Sequence, residues 1–376
     1  MSEPTVFCFF PLASVGGTER VHLDVLNALS EYSVNIFIRY RVNPWKGMSY
    51  KKTLEGKKEG IQLKSEFEAF GRLIFLSDYL EAPRFGRWIK AWYIKRLVKK
   101  INACSNPIVI FWHRESIDFI WDFLAPHVKL IDIVHNNSNN ESSDAHYLLN
   151  DWAPRINQRV LVNRGLRKWI LTLYDVAAYP TVFESRMTVI NHTVTIPNEL
   201  PVKSNTVFNV LFVGRDATEK RIDLWLEIAQ RLAHLPLIQF HLVGIERIKS
   251  NNVNLTSYGL LTDPTEIQSL YSRSHTLVLT SQSEGFPKVI AEAMAFGCVP
   301  IVTAVGAIPE VLSEDAGAML TNPLNCVEET IEKLHRLSLA VDEFNHRSKK
   351  AYFYAKDQFE IERFNAEWRA LIQNLG

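Results

Sequence analysis

Cysteine is scarce in this chain and carries no pattern. The four thiols, Cys8, Cys104, Cys298 and Cys326, are scattered, with no CxxC pair and no metal-type spacing. That excludes a disulfide scaffold and a cysteine-based zinc site. Cys8 and Cys298 lie in apolar segments, where buried thiols are usual, so a reducing compartment is expected. Long hydrophobic runs are also missing. No segment approaches the ~18 apolar residues of a membrane span. Val6 to Phe10 is too short for a signal peptide, has no basic region before it, and is stopped by Pro11. A cytoplasmic location is therefore expected. Charge of one sign is absent too: the net charge is +1, which gives no global argument for nucleic acid. Neither the GxGxxG dinucleotide pattern nor a P-loop ending in Gly-Lys-Ser/Thr occurs. No Asp-x-Asp occurs either, so a metal-held diphosphate is not indicated.

What is present is an α/β alternation long enough for two domains. At 376 residues, with 47% hydrophobic and 22% charged residues, the chain suits two soluble domains of about 150–200 residues each. Strands are expected at Val6–Phe10, Val34–Ile38, Pro107–Trp112, Val128–Val134, Arg159–Asn163 and Thr188–Ile196. The stretch Pro201 to Thr206 reads as a linker. A second series follows at Asn209–Arg215, Gln239–Gly244, Leu277–Thr280 and Pro300–Thr303. Helices are expected at 19–29 with Thr18 as N-cap, from about Gly165, at 222–235 and at 357–375. The alternation argues two doubly wound α/β domains facing each other, residues 1–198 joined by 357–376, and residues 199–356.

The stretch Ser283 to Gly297 organises the second half. An apolar strand (Leu277–Thr280) leads into a turn, then a helix with Pro287 in its first turn and Gly297 just past its end. Glu284 falls on the turn. Glu292 falls at the border of an apolar arc formed by Val289, Ile290, Ala293, Met294 and Phe296. Two solvated glutamates on an ordinary βα unit would look the same. The rest of the chain adds cations at another strand end: Arg215 and Lys220, flanking a polar loop. A guanidinium and an ammonium together suit a diphosphate, and carboxylates accept hydrogen bonds from sugar hydroxyls. The ligand matching both sets is a nucleotide diphosphate sugar. A glycosidase acid/nucleophile pair is disfavoured, because that chemistry needs two carboxyls flanking one bond.

The first half offers Gly16-Gly17 before a helix N-terminus, where backbone amides can approach a phosphate or sugar, or simply make a tight turn. It also offers His113 and His135, each at the carboxyl end of a strand, where ligands of open α/β sheets sit. From Arg84 to Lys100 there are seven basic residues, no acidic ones, and interleaved Phe85, Trp88, Trp92 and Tyr93. That segment suits an anionic membrane surface, or a core-packing helix with a basic outer face.

These motifs together resemble the GT-B glycosyltransferases of the GT4 type, a retaining, metal-independent class. The resemblance rests on Ser283-Glu284-Gly285-Phe286-Pro287 running to Glu292-Ala293-Met294, on Val213-Gly214-Arg215 with Lys220, on Gly16-Gly17-Thr18-Glu19-Arg20-Val21, and on Ile196-Pro197-Asn198. It spans nearly the whole chain and is weakest over residues 40–105.

The resemblance implies an N-terminal acceptor-binding domain, a C-terminal donor-binding domain, and a last helix that crosses back to the first. The two domains would close over the donor. Glu284 would bind the donor hexose, helped by backbone amides at Phe286, Lys288 and Val289, since Pro287 has no N–H. Glu292 would hold the ribose. Arg215 and Lys220 would neutralise the leaving diphosphate, with Gly16 and Gly17 approaching it. His135 would contact the sugar near the reaction centre. Base selection would rest on backbone around Gly244 and Tyr258-Gly259. His113 and Asn136 would be candidates for the acceptor side; the family more often has His-Asp where this chain has His135-Asn136. Arg221 stands where a glycine is common. No cofactor or metal is implied beyond the nucleotide sugar itself. The acceptor would be a glycan or lipid-linked molecule of cell-surface polysaccharide or lipopolysaccharide synthesis, at the inner face of the plasma membrane if the basic segment 84–100 touches lipid. A nucleotide-sugar epimerase and a catalytically silent binding subunit on the same fold are the alternatives.

Overall fold

The computed structural model describes residues 3–14, 17–40, 61, 63–80, 87–112, 114–135, 152–245, 254–261, 263–284 and 286–375. The chain divides into two compact units. One comprises Met1–Val162, Leu166–Asn191 and Glu362–Gly376; the other comprises Asn163–Gly165 and His192–Ile361.

The first unit is built on seven parallel strands: β1 (Thr5–Phe10), β2 (Ser33–Ile38), β3 (Leu73–Phe75), β4 (Pro107–Trp112), β5 (Lys129–Val134), β6 (Gln158–Leu161) and β7 (Met187–Val189). Their order is β3-β2-β1-β4-β5-β6-β7. Its helices include α1 (Gly17–Ala28), α2 (Arg87–Asn102) and most of α3 (Arg164–Val176). The central strands are covered on both faces and therefore read as continuous apolar runs. Phe7, Phe9, Phe37 and Phe111 are fully inside, with Phe9 stacked on Phe37 at 4.7 Å. An ion pair within that sheet joins register partners, Asp132 on β5 and Arg159 on β6, at 2.9 Å.

The second unit has six parallel strands: β8 (Phe208–Val213), β9 (Ile238–Val243), β10 (Leu255–Gly259), β11 (Thr276–Leu279), β12 (Val299–Thr303) and β13 (Met319–Thr321). Their order is β10-β9-β8-β11-β12-β13. The helices that matter here are α4 (Ile222–Arg231), α5 (Pro264–Arg273), α6 (Lys288–Ala295), α7 (Cys326–Leu339) and α8 (Val341–Phe359). Trp225 on α4 packs edge-on to Phe212 and Phe240 in the core. In both units the order reverses beside the first strand, at β1/β4 and at β8/β11. In doubly wound sheets that reversal opens a crevice at the carboxyl ends of the strands, where ligands bind.

Four local expectations are revised. The strand expected over 188–196 is only Met187–Val189; beyond it Val194 N–H bonds the carbonyl of Phe359, at 3.0 Å, and leaves the sheet. The helix expected over 357–375 begins at Ile361, as α9 (Ile361–Leu375). Glu360 is extended (ψ 143°) and ends α8, whose last carbonyl, Phe359 O, also accepts from Thr193 Oγ1. Thr18 lies inside α1, which starts at Gly17. Pro287 sits just before α6 and not in its first turn.

Candidate functional site

At the carboxyl edge of the second sheet, the backbones that continue β8, β9 and β10 bond one another directly. Gly214 N–H bonds Val243 O, and Gly244 N–H bonds Gly259 O. Gly244 has φ +91°, and a Cβ there would lie 2.3 Å from Gly214 O, so only glycine fits. Next to this edge, residues 214–221 loop out and return to α4.

Lys220 turns inward from that loop. Its Nζ lies 2.5 Å from Glu284 Oε1, across the β8/β11 reversal. Ser281 Oγ donates to the same oxygen at 2.6 Å. The Glu284 side chain is 8% exposed and that of Lys220 is 15% exposed, so this is a nearly buried charge pair reaching the surface. The loops that carry the two residues are tied independently. Gln282 N–H bonds Glu219 O, and Thr280 Oγ1 bonds the carbonyls of Lys220 and Arg221. Arg221 is left-handed (φ +46°). Its guanidinium donates to the carbonyls of Thr280 (2.6 Å), Pro323 (3.1 Å) and Ser281 (3.3 Å). Arg215, by contrast, is 78% exposed and pairs with Glu219 at 2.8 Å.

Glu284 is also fixed from behind. Gly306 (φ +56°) packs so closely that a Cβ would lie 1.7 Å from Glu284 O. Gly306→Ala is therefore expected to destabilise the protein by about 2 kcal/mol, through left-handed strain and a forced shift of the Glu284 backbone. Urea melts check this; a variant as stable as the parent would refute it.

Glu292 lies in the second turn of α6, half-buried, and accepts the Tyr271 hydroxyl at 2.9 Å. Tyr271 is fully buried, and burial, with the Glu292 charge beside it, holds its hydroxyl protonated as a donor. Phe286 is buried against Phe359. Lys288 and Val289 open α6, where the first N–H groups have no partner within the helix and attract anions.

Tyr258 is occupied differently. Asn209 Nδ2 donates to Arg273 O, so Asn209 Oδ1 faces His241 Nε2 at 3.1 Å, and that nitrogen must carry the proton. His241 Nδ1 then accepts from Tyr258 Oη (3.0 Å), which itself accepts from Arg273 (2.6 Å). Burial, then the charge of Arg273, lowers the His241 pKa to about 4. His275 is also lowered to about 4, mainly by burial, and bridges Asn209 N–H and Ser204 O. Both imidazoles are depressed from 6.5 in the fold. The unfolded chain therefore takes up protons first, and stability is full above about pH 6.5 and lost as pH falls toward 4. Unfolding free energy should decline over that window, and a His275→Gln variant should decline less steeply. A flat profile from pH 7 to 4.5 would rule this out.

In the first unit, His135 directly follows β5, 9% exposed. Its Nε2 is 3.3 Å from Nε2 of His22, on α1. Burial lowers the His135 pKa to about 3, so the ring is neutral. Gly17 begins α1. Gly16, His113 and Asn136 lie outside the described residues, as does Gly285. Ser281, Arg221, Tyr271 and His22 take part and were not singled out as site residues from the sequence. Ser281, three residues before Glu284, and Arg221, standing where a glycine is common, each carry a local signal; Tyr271 and His22 carry none.

With this geometry in view, the architecture has known counterparts. HepE of Anabaena, solved in complex with UDP, superposes with a TM-score of 0.70 at 13% identity, covering 98% of this chain and 100% of that one. The apo form of WaaB, a lipopolysaccharide outer core galactosyltransferase, gives 0.66 at 15% identity, covering 99% of each chain. At such identities the likeness defines the fold, which is GT-B, with two Rossmann-like domains. Residues 207–339 match the family Glycosyl transferases group 1. A glycosyltransferase of Haemophilus influenzae, itself uncharacterized, is 26% identical over 384 residues, 97% of this chain and 99% of that one. A Klebsiella pneumoniae protein named "Uncharacterized 41.2 kDa protein in cps region" is 30% identical over 131 residues. That alignment covers 33% of this chain and 35% of that protein, about a third of its length. Together these matches support a GT-B glycosyltransferase.

Proposed function

We propose that the protein is a retaining, metal-independent hexosyltransferase of the GT4 type, moving a hexose from a nucleotide diphosphate sugar to a glycan or lipid-linked acceptor. The observation that carries this reading is the Lys220–Glu284 pair, 2.5 Å apart at the β8/β11 reversal. A cation for a leaving diphosphate and a carboxylate for sugar hydroxyls stand side by side where this sheet type binds ligands.

In this reading Glu284 holds the hexose, with the backbone of Phe286, Lys288 and Val289. Glu292, oriented by Tyr271, holds the ribose. Lys220 and Arg215 take up charge on the diphosphate, Gly16 and Gly17 approach it, and Gly244 and Tyr258 border the base. His135 acts on the sugar being transferred, and His113 and Asn136 serve the acceptor. The acceptor belongs to residues 1–198 and 357–376, the donor to 199–356. The C1–O bond to the diphosphate breaks as the acceptor oxygen bonds C1 on the same face, through an oxocarbenium-like state. The acceptor proton passes to the departing diphosphate oxygen. Charge stabilisation and orientation do the catalytic work. A glycan acceptor of cell-surface polysaccharide synthesis agrees with the name of the WaaB neighbour, a lipopolysaccharide galactosyltransferase.

We also propose peripheral contact with anionic membrane through 84–100, from a cytoplasmic location. Helix α2 buries Leu97, Val98 and Ile101 and exposes Trp88 (88%), Trp92 (57%) and Ile89 (42%) beside Lys95, Arg96 and Lys99. Among the described residues no helix is long and apolar enough to cross a membrane.

A calorimetric panel of nucleotide sugars tests donor binding, and release of free nucleotide only on adding acceptor tests transfer. Release independent of any acceptor would defeat the transferase reading. Failure to sediment with anionic vesicles at low salt would defeat membrane contact.

A further inference from the structure

His22 is a fully buried histidine beside a candidate catalytic group. It sits in the second turn of α1, its ring flat on Phe10 (centroids 4.1 Å apart, 8° between planes) and tilted against Trp112 at 6.0 Å. Trp112 in turn meets His135 edge-on at 5.8 Å. Phe10 ends β1, Trp112 ends β4 and His135 follows β5. These are three adjacent strands of the sheet, so the cluster caps neighbouring strand ends.

The contact between the rings runs Nε2 to Nε2 at 3.3 Å. Two bare nitrogens at that distance repel, and two N–H groups clash. One proton lies between them, so the tautomers of the two rings are reciprocal. If His22 donates, His135 carries its own proton on Nδ1. If His135 donates, its Nδ1 is bare. The choice decides whether His135 offers a ligand hydroxyl a donor or an acceptor at its other nitrogen. Burial disfavours charging the His135 ring, whose pKa is lowered to about 3.

We propose that His22 is a positioning residue that fixes the tautomer and ring plane of His135, the side chain assigned to the transferring sugar. The assignment of His135 rests on the transferase reading; the tautomer lock does not. Neither ring needs to change charge for the lock to act. His22 thus contributes through orientation, while the stack on Phe10 keeps its own ring from turning.

The test is nitrogen-15 NMR of the histidine rings in the full-length protein. In the wild type a scalar coupling across the Nε2–Nε2 hydrogen bond is expected, with His135 in one tautomer. His135→Gln identifies its signals. In His22→Phe, which keeps the stack, His135 should become a mixture of tautomers, and kcat should fall about tenfold with donor KM unchanged, the loss of one hydrogen bond. His22→Gln, which can still hydrogen-bond, should restore a single tautomer and much of kcat. No coupling in the wild type overturns the proposal without any variant having to fold. Identical His135 signals in wild type and His22→Phe overturn it as well. If the wild type transfers no sugar at all, the function reading fails while the NMR arm still decides the role of His22.

Discussion

Lys220→Ala is expected to cut turnover by about 10²–10³-fold, the usual loss when one preorganised donor to a charged transition state is removed. Donor affinity should fall by much less, because charge on the leaving diphosphate is greatest in the transition state. The same substitution should destabilise the fold by about 3 kcal/mol, at the low end for a stranded buried charge because Lys220 is partly exposed. The reason lies at Glu284 Oε1, which takes Lys220 at 2.5 Å and Ser281 at 2.6 Å. With Lys220 gone, Ser281 is left facing a carboxylate that is 8% exposed and has lost its cation. Stability and activity can then be separated by a second substitution. Lys220→Met with Glu284→Gln removes both charges and keeps the volumes, so it should recover more than half of the lost stability and none of the activity. Urea melts and initial rates on the wild type, Lys220→Ala and the double variant provide the check. A double variant no more stable than Lys220→Ala would mean the pair is not the linked unit described. Arg215→Ala should lower turnover with almost no effect on stability, since Arg215 stands in solvent, paired with Glu219.

How much of this was legible in the sequence depends on where each signal resides. The central strands were legible because a parallel strand covered on both faces must be apolar throughout; β8 is buried at every position. The edge strands were not. Leu73–Phe75, Leu255–Gly259 and Met319–Thr321 are short or half-exposed and carry no run long enough to register. Glu284, Glu292, Arg215 and Lys220 stood out by residue type and by their places at strand and helix ends. Their pairing did not. Lys220 and Glu284 are 64 residues apart and meet only because β8 and β11 are neighbours in the sheet order. Read separately, they formed a cation pair and a carboxylate pair; in the fold the pairs are crossed, Lys220 with Glu284 and Arg215 with Glu219. Tyr271 gave no hint, being one more apolar position of α5 whose hydroxyl happens to reach Glu292. Asp132 stands within an apolar strand, and its partner Arg159 is a register neighbour that only strand order reveals. The basic aromatic helix is packed at its C-terminal half and exposes Trp88, Ile89 and Trp92 at its N-terminal half, a division that its composition alone did not reveal.

Arg221 supplies the sharpest separation of backbone from side-chain energetics. Its φ of +46° is one a glycine adopts freely, and the resemblance to GT4-type chains marks it as a position where glycine is common. If backbone strain were the only factor, Arg221→Gly would stabilise the loop by about 1 kcal/mol. The guanidinium, however, donates to three carbonyls, those of Thr280, Ser281 and Pro323, and hydrogen bonds from a charged group contribute about 1.5–3 kcal/mol. Loss of these should outweigh the relief, so Arg221→Gly is expected to be destabilised by about 2 kcal/mol. Arg221→Ala keeps the left-handed strain and loses the same bonds, and should be destabilised by about 3 kcal/mol. The order wild type, Gly, Ala is the diagnostic result in denaturant melts; a glycine variant more stable than wild type would show the clamp to be idle. Because Arg221 directly follows Lys220 and anchors to the carbonyls of Thr280 and Ser281, loosening it should also release Lys220 from Glu284. Both variants should therefore lose turnover under conditions where they remain folded, and Arg221→Lys, which keeps the charge but cannot span three carbonyls, should fall between wild type and glycine.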